Sequence, residues 1–437
     1  MKIGVIGTGH VGLVTCASLA KVGHDVVGSD VDSAKIATLL EGRTPFFEPG
    51  LDELLTEQIG EGRLGFTDRS EEAVVDADVV FICVGTPPRE SGEANLVAVE
   101  QSVIDVAQKA RRPAVVVEKS TVPAGTAQRL HRTLQQVRPS SLEAIDLASN
   151  PEFLREGKAI EDSLHPDRIL VGAESERAFE AMREVYRPWI DKGYRFIETD
   201  LATAELAKHA CNAFLALKIS FANALARLCE RAGADVTDVA DIMGTDDRIG
   251  RAFLNAGLGY GGYCFPKDLL AFERLAHGLG YDFPLLREVA RINEEALDAA
   301  ADKVVDALWN LEDKRIALLG LSFKPGTDDL RFAPALGLAQ RLLARGATVV
   351  GYDPVASKEA KAELPELEIA ADPYGAADGA HCVVLCTEWD EFAALDLAKL
   401  KEALARPVFV DGRNVFDPDV MAQHGFVYYA TGRARPA

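Results

Sequence analysis

The chain has 437 residues, 48% of them hydrophobic and 26% charged, and carries a formal net charge of −21 at pH 7. That length exceeds one ordinary core and implies two or three domains, while the negative charge disfavours nucleic acid and anionic membrane surfaces as partners. Any phosphate-bearing ligand must therefore be held by local donors against a repulsive overall field. No apolar run reaches the roughly 18 residues of a membrane span. The amino terminus lacks the apolar core and cleavage site of a signal peptide, so a cytoplasmic protein is expected. Seven cysteines without tight spacing fit reduced thiols.

In chain order, residues 2–6 read as a strand, followed by Gly7-Thr8-Gly9-His10-Val11-Gly12, a helical pattern to about Val22, and a strand over 25–28 that ends at Asp30. Strand, GxGxxG, helix, strand and acid, with the acid 23 residues after the first glycine, form a dinucleotide-binding fingerprint. Gly7 makes the tight turn, Gly9 admits the pyrophosphate to the backbone, and Gly12 allows close helix–strand packing. Asp30 predicts a hydrogen bond to the adenosine ribose, hence NAD rather than NADP, although Lys35 lies close by. Strands are predicted over 79–84 and 114–118, leading into Gly85-Thr86-Pro87-Pro88 and Ser120-Thr121-Val122-Pro123 at the carboxyl edge of a parallel sheet. A strand over 144–149 precedes Asn150-Pro151-Glu152-Phe153-Leu154-Arg155-Glu156-Gly157. There Pro151 suits a first helical position, and Glu152 and Glu156 would share one helix face. From this segment alone, a surface helix and a functional one fit equally.

Residues 201–232 carry apolar residues at helical spacing without internal Gly or Pro, enough for a helix of roughly 45 Å. It is apolar on more than one face, so it should pack against both domains or a second subunit. Lys208 and Asn212 lie four residues apart on it; the lysine is either a snorkelling stem or a held charge. Next comes Gly259-Tyr260-Gly261-Gly262-Tyr263-Cys264-Phe265-Pro266-Lys267-Asp268. Its glycines permit close backbone approach, and Pro266 suits the first turn of a helix whose positive end would favour a thiolate. Cys264 is thus either an activated nucleophile or a buried, inert cysteine. Beyond residue 313, Arg315-Ile316-Ala317-Leu318-Leu319-Gly320 and 347–353 echo the first strands, and 382–386 and 408–411 continue a parallel-sheet pattern. Cys382 and Cys386 read as core packing rather than metal ligands. In place of a second GxGxxG stands Leu321-Ser322-Phe323-Lys324-Pro325-Gly326-Thr327-Asp328-Asp329. Such a domain either binds something other than a dinucleotide or is purely structural. The tail from Tyr429 is expected to fray.

In their order, these motifs make the chain resemble the UDP-glucose/GDP-mannose dehydrogenase family over essentially its whole length. The resemblance implies an α/β fold of two Rossmann-like doubly wound parallel-sheet domains joined by a helical region with a long central helix. Its parts would be an NAD-binding domain over 1–198, a central helical dimerisation domain over 199–303 and a UDP-sugar-binding domain over 304–437. It also implies a four-electron, NAD-dependent oxidation of a nucleotide sugar through a cysteine thiohemiacetal and thioester, without metal. By resemblance the catalytic set is Cys264, Lys208, Asn212, Asp268, Glu152 and Thr121. Cofactor contacts fall to Gly7, Gly9, Val11, Gly12, Asp30, Lys35, Thr86, Ser120, Glu156 and Arg331. Substrate contacts fall to Phe153, Leu154, Lys208, Phe253, Gly261, Lys267, Phe323, Lys324 and Arg413, with Arg248 reaching the site of a second subunit in a homodimer or higher homo-oligomer. The wording Arg248-Ile249-Gly250 and Cys264-Phe265-Pro266-Lys267 favours UDP-glucose over GDP-mannose. A single-step hydroxyacid dehydrogenase would use Lys208 and Asn212 but leave Cys264 without a task. An NAD-sensing regulator would leave the whole polar set idle.

Overall fold

The computed structural model describes residues 1–112, 114–137 and 145–433. The chain folds as two units, Met1–Cys211 with Leu270–Tyr281, and Asn212–Leu269 with Asp282–Ala437.

The first unit is built on an eight-stranded sheet. Its strands are β1 (Lys2–Ile6), β2 (Asp25–Ser29), β3 (Leu64–Thr67), β4 (Val79–Ile82), β5 (Ala114–Glu118), β6 (Ile145–Ser149), β7 (Ile169–Ala173) and β8 (Phe196–Thr199), in the order β3-β2-β1-β4-β5-β6-β7-β8. Pairing is parallel except between β6 and β7. Helices cover both faces, so alternate strand residues enter different cores. Ile3, Val5, Val79, Phe81, Val115 and Val117 pack on one side. Ile6, Val80, Ile82 and Val116 pack on the other. Among the helices are α1 (His10–Lys21), α2 (Thr126–Val137) and α3 (Leu201–Ala232), the last with the bounds its apolar spacing predicts. Register sets the functional edge: Ile6 pairs with Ile82, Ile82 with Glu118, and Glu118 with Ser149. The loops after β1, β4, β5 and β6 therefore emerge side by side at the carboxyl ends of the strands, where α/β sheets bind ligands.

The second unit contains most of α3, the start of α4 (Cys264–Gly278), α5 (Pro284–Leu308) and a six-stranded parallel sheet. That sheet runs β11-β10-β9-β12-β13-β14, from β9 (Arg315–Leu319), β10 (Thr348–Tyr352), β11 (Glu368–Ile369), β12 (Cys382–Leu385), β13 (Val408–Asp411) and β14 (Val427–Ala430). Cys382 and Cys386 are buried in it, and burial pushes the Cys386 thiol up to about 12.

The echo of the first sheet extends to single hydrogen bonds. Gly7 (φ +94°) donates to Ser29 O at 2.8 Å, and Gly320 (φ +87°) donates to Tyr352 O at 2.8 Å. Asp30 accepts from the Thr8 N–H and hydroxyl, both at 3.0 Å, and Asp353 accepts from the Ser322 N–H and hydroxyl at the same distance. Asp353 then accepts further from the N–H groups of Leu321, Val355 and Ala356 and from the Trp389 indole. Six donors saturate this buried carboxylate, which has no acceptor capacity left for a ribose. The next helix, α6 (Pro334–Leu343), also begins fourteen residues after Gly320, whereas α1 begins three after Gly7. The second sheet has kept the turn and lost the dinucleotide cradle.

Three expectations need correction. Residues 151–158 are not helical; the helix of this region spans Ala159–Leu164. The Glu152 side chain turns back to accept from Leu154 N–H at 2.6 Å, and Gly157 has φ +77°, so local bonds compete with helix formation. The strand expected over 79–84 stops at Ile82, since Val84 O accepts from the Ser120 hydroxyl at 2.7 Å. The tail is tied down as far as Arg433: Val427–Ala430 is a strand, Gly432 N–H donates to Glu230 at 2.8 Å, and Arg433 pairs with Asp235 at 3.0 Å. Residue 144, called as the start of a strand, and the tail beyond 433 lie outside the described residues.

Asp353→Ala strands several buried donors at once, and the expected loss is at least about 3 kcal/mol of unfolding free energy in urea titrations. A loss below about 0.5 kcal/mol would contradict the buried-acceptor role.

Candidate functional site

In the first unit the glycine turn has the shape a pyrophosphate needs. A Cβ on Gly12 would sit 1.9 Å from Gly7 O, whereas one on Gly9 would meet nothing within 4 Å. Gly12 is thus closed by packing and Gly9 is open to a ligand at the start of α1, with Val11 half-buried just inside it. Burial alone would raise the Asp30 carboxyl, but hydrogen bonds from Lys35, Thr8 and Asp32 outweigh it and hold it below the usual range. Lys35 Nζ bonds one Asp30 oxygen at 2.8 Å; the other accepts from Asp32 N–H and has room for a hydroxyl. These residues fit an adenosine dinucleotide with an unphosphorylated ribose.

Along the same edge, Thr86 donates to Thr121 O at 3.0 Å, and Ser120 donates to Val84 O, so the loops after β4 and β5 are laced together. From α3, His209 Nε2 lies 2.9 Å from Val122 O. One turn earlier on α3, Glu205 accepts from Gly125 N–H at 2.6 Å and Ala127 N–H at 2.8 Å, capping α2 from a distance. The segment that follows Thr121 is thus held by α3 at two points. Burial raises the Glu205 carboxyl against the pull of those donors. Burial, aided by the nearby Glu205 charge, raises the Glu118 carboxyl well above the carboxylate range.

Lys208 proves to be a held charge. Its ammonium lies 2.9 Å from Glu152 Oε1, and both side chains are less than one-tenth exposed. The ammonium also sits 5.3 Å from the Phe153 ring centre, and Arg168 stacks on the same ring at 3.8 Å. Leu154 follows in the same loop, and Glu156 lies two residues further on. Asn150 anchors the loop's start: it accepts from Lys119 Nζ at 3.0 Å and from the Tyr186 hydroxyl at 2.5 Å.

In the second unit, Cys264 is the first residue of α4 and half-buried, outside any disulfide. Asp268, one turn on, is buried and accepts from Asn212 Nδ2 and from Lys267 Nζ, each at 2.6 Å. Three predicted residues therefore share one hydrogen-bonded cluster beside the cysteine's helix. Phe253, at φ +65°, tilts against Phe265, the residue after Cys264. Gly261 and Gly262 are pressed so closely on Phe332 O and the Phe323 ring that a Cβ would lie 2.3 and 2.8 Å from them. Lys324 lies over the Phe323 ring, and Arg331 pairs with Asp329 at 2.7 Å. Arg413 donates to Cys386 O at 2.7 Å and lies 3.2 Å from Glu388. Arg248 stands apart from this cluster, highly exposed and paired with Asp246 at 2.6 Å.

Three residues escaped the sequence reading. Glu205 lies one turn from Lys208 and His209 on a mostly apolar helix, a signal that was available. Glu48 accepts from Gly157 N–H at 2.7 Å and Ala159 N–H at 2.8 Å, and lies 2.9 Å from His10 of the glycine turn. The contacts with Gly157 and Ala159 are more than 100 residues away in sequence, and no periodicity announces them. Asp353 was visible only as an echo of Asp30.

Comparison with known proteins matches three models of the UDP-glucose/GDP-mannose dehydrogenase family: its NAD binding domain at residues 1–190, its central domain at 202–295 and its UDP binding domain at 317–418. The UDP-glucose 6-dehydrogenase of Rhizobium meliloti (strain 1021) is 46% identical over 437 residues, covering 99% of this chain and 100% of the relative. That of Pseudomonas aeruginosa is 42% identical over 446 residues, covering 100% and 98%. Among solved structures, a UDP-glucose dehydrogenase from the archaeon Pyrobaculum islandicum is similar with a TM-score of 0.91 at 39% identity, covering 99% and 98% of the two chains.

Glu118 yields a pH prediction. Its folded value is raised, so its contribution to stability is whole below the unfolded carboxylate value near about 4.3 and is lost as pH rises through the folded value. Glu118→Gln is therefore expected to stabilise the protein more at pH 8 than at pH 5, measured by thermal melting. An equal effect at both would show the carboxyl to be ionised throughout.

Proposed function

Because the chain belongs to the UDP-glucose/GDP-mannose dehydrogenase family, we propose that it oxidises the C6 alcohol of UDP-glucose to the carboxylate of UDP-glucuronate with NAD. The substrate choice is supported by full-length relatives named UDP-glucose 6-dehydrogenase. The observation that carries the chemistry is Cys264 at the first position of α4, followed by a lysine and a carboxylate buried in one cluster. Unpaired N–H groups and the positive end of a helix favour a thiolate over a thiol there.

NAD⁺, when bound, accepts one hydride in each of two oxidations. The chain's residues do the rest. Lys208 and Asn212 stabilise the oxygen as the alcohol loses its proton and its C6 hydride. Cys264 Sγ then bonds to the aldehyde carbon, and the carbonyl oxygen takes up a proton, giving a thiohemiacetal. That hemiacetal is again an alcohol, so loss of its O–H proton and its hydride leaves a thioester. Asp268, Lys208 and Thr121 order a water that adds to the thioester carbon; the C–S bond breaks and the thiolate leaves. Glu152 serves as general acid and base in that hydrolysis, and its pairing with Lys208 supports the assignment. Gly7, Gly9, Val11, Gly12, Asp30, Lys35, Thr86, Ser120, Glu156 and Arg331 bind the cofactor. Phe153, Leu154, Lys208, Phe253, Gly261, Lys267, Phe323, Lys324 and Arg413 bind the nucleotide sugar.

The same reading makes the enzyme a cytoplasmic homo-oligomer with no nucleic-acid partner. Among the described residues no helix is long and apolar enough to cross a membrane. Phe214, Phe221 and Leu228 recur every seven residues along α3, each more than half exposed, and a second copy of the chain would cover that stripe. Arg248 would then reach the neighbouring copy's sugar.

Counting NADH formed per nucleotide sugar tests the reaction. Two per UDP-glucose, and little from GDP-mannose, are expected. One per sugar would identify a single-step dehydrogenase, and none a cofactor-sensing protein.

A further inference from the structure

The residue before the nucleophile bridges two cations of the second unit, one on α4 and one in the loop 321–333. The Arg331 guanidinium carbon lies 4.4 Å from the Tyr263 ring centre, and the Lys267 ammonium lies 5.6 Å from it. Each cation is also tied to a carboxylate, Arg331 to Asp329 and Lys267 to Asp268. Burial raises the Tyr263 hydroxyl, so this ring is partly withdrawn from water. Less water means a stronger attraction between cation and ring face. Around it, Gly261 and Gly262 leave no room for a Cβ against Phe332 O and the Phe323 ring, so the cysteine turn and loop 321–333 are packed together.

We propose that Tyr263 is a positioning residue whose ring clasps loop 321–333 to the cysteine turn, holding Arg331 and Lys267 in place for the two phosphate-bearing ligands. The inference rests on the roles proposed above for those cations. The ring does the holding, and the hydroxyl contributes nothing to it. Loss of the ring should let both long side chains sample other rotamers, weakening binding without touching a group that reacts.

Steady-state kinetics of Tyr263→Ser and Tyr263→Phe, with Arg331→Ala and the Tyr263→Ser/Arg331→Ala double variant, test this. Tyr263→Ser is expected to raise KM for NAD and UDP-glucose about tenfold while kcat stays within about threefold. Tyr263→Phe should restore both KM values to within about twofold of the parent, a rescue that a general loss of packing would not discriminate. In the double variant the KM for NAD should be no worse than in Arg331→Ala alone. Multiplying effects, a Phe variant as impaired as the Ser variant, or an unchanged KM in the Ser variant would each overturn the proposal. If the parent enzyme forms no NADH from UDP-glucose, the functional reading has failed instead. The clasp is then read from urea unfolding of the same variants, where the double variant's midpoint shift should be smaller than the sum of the single shifts. Strict additivity there would also overturn it.

Discussion

A lysine almost wholly removed from water keeps its charge only beside a partner, and Glu152 is that partner for Lys208. Desolvating the two ions costs several kcal/mol each, and their attraction offsets this only with good geometry and further hydrogen bonds. The 2.9 Å contact and the Leu154 N–H on the second Glu152 oxygen supply both. Breaking comparable buried pairs by removing one partner costs roughly 3–5 kcal/mol. The pair therefore dictates local structure as well as chemistry. It draws the Glu152 side chain toward α3, and the segment after β6 runs as a loop rather than a helix.

Other buried polar groups follow the same rule. Glu205 and His209 on α3 hold the loop that carries Thr121, and Glu48 holds the segment that carries Glu156. In the second unit, Asp268 gathers Asn212 and Lys267. Each carboxylate answers donors that the fold would otherwise strand. Asp30 and Asp353 show what that rule does to function. One retains acceptor capacity and suits a ribose; the other, in an equivalent position, is consumed by six donors and serves the fold alone.

Features set within a few residues were legible in the sequence. The strand, glycine turn, helix, strand and acid of the dinucleotide fingerprint all depend on local geometry, and the structure has each of them. The bounds of α3 followed from apolar spacing, and Pro266 correctly marked the first turn of α4. Residues 151–158 were misread because Pro151 and the Glu152–Glu156 spacing argue for a helix, while Glu152 bonds Leu154 N–H within its own loop and Lys208, which lies 56 residues away. Glu48 was missed for the same reason at greater range. The ordered tail depended on Glu230 and Asp235, some 200 residues upstream, which no local pattern reveals.

The account stands on a covalent bond between Cys264 and the sugar carbon. Intact-protein and peptide mass spectrometry of Glu152→Gln, quenched in acid after incubation with UDP-glucose and NAD⁺, reads that bond directly. With hydrolysis slowed, the Cys264 peptide should carry the nucleotide sugar at the oxidation level of a thioester, released by hydroxylamine. An unmodified Cys264 peptide in a sample that has nevertheless reduced NAD⁺ and accumulated UDP-glucuronate would contradict the account.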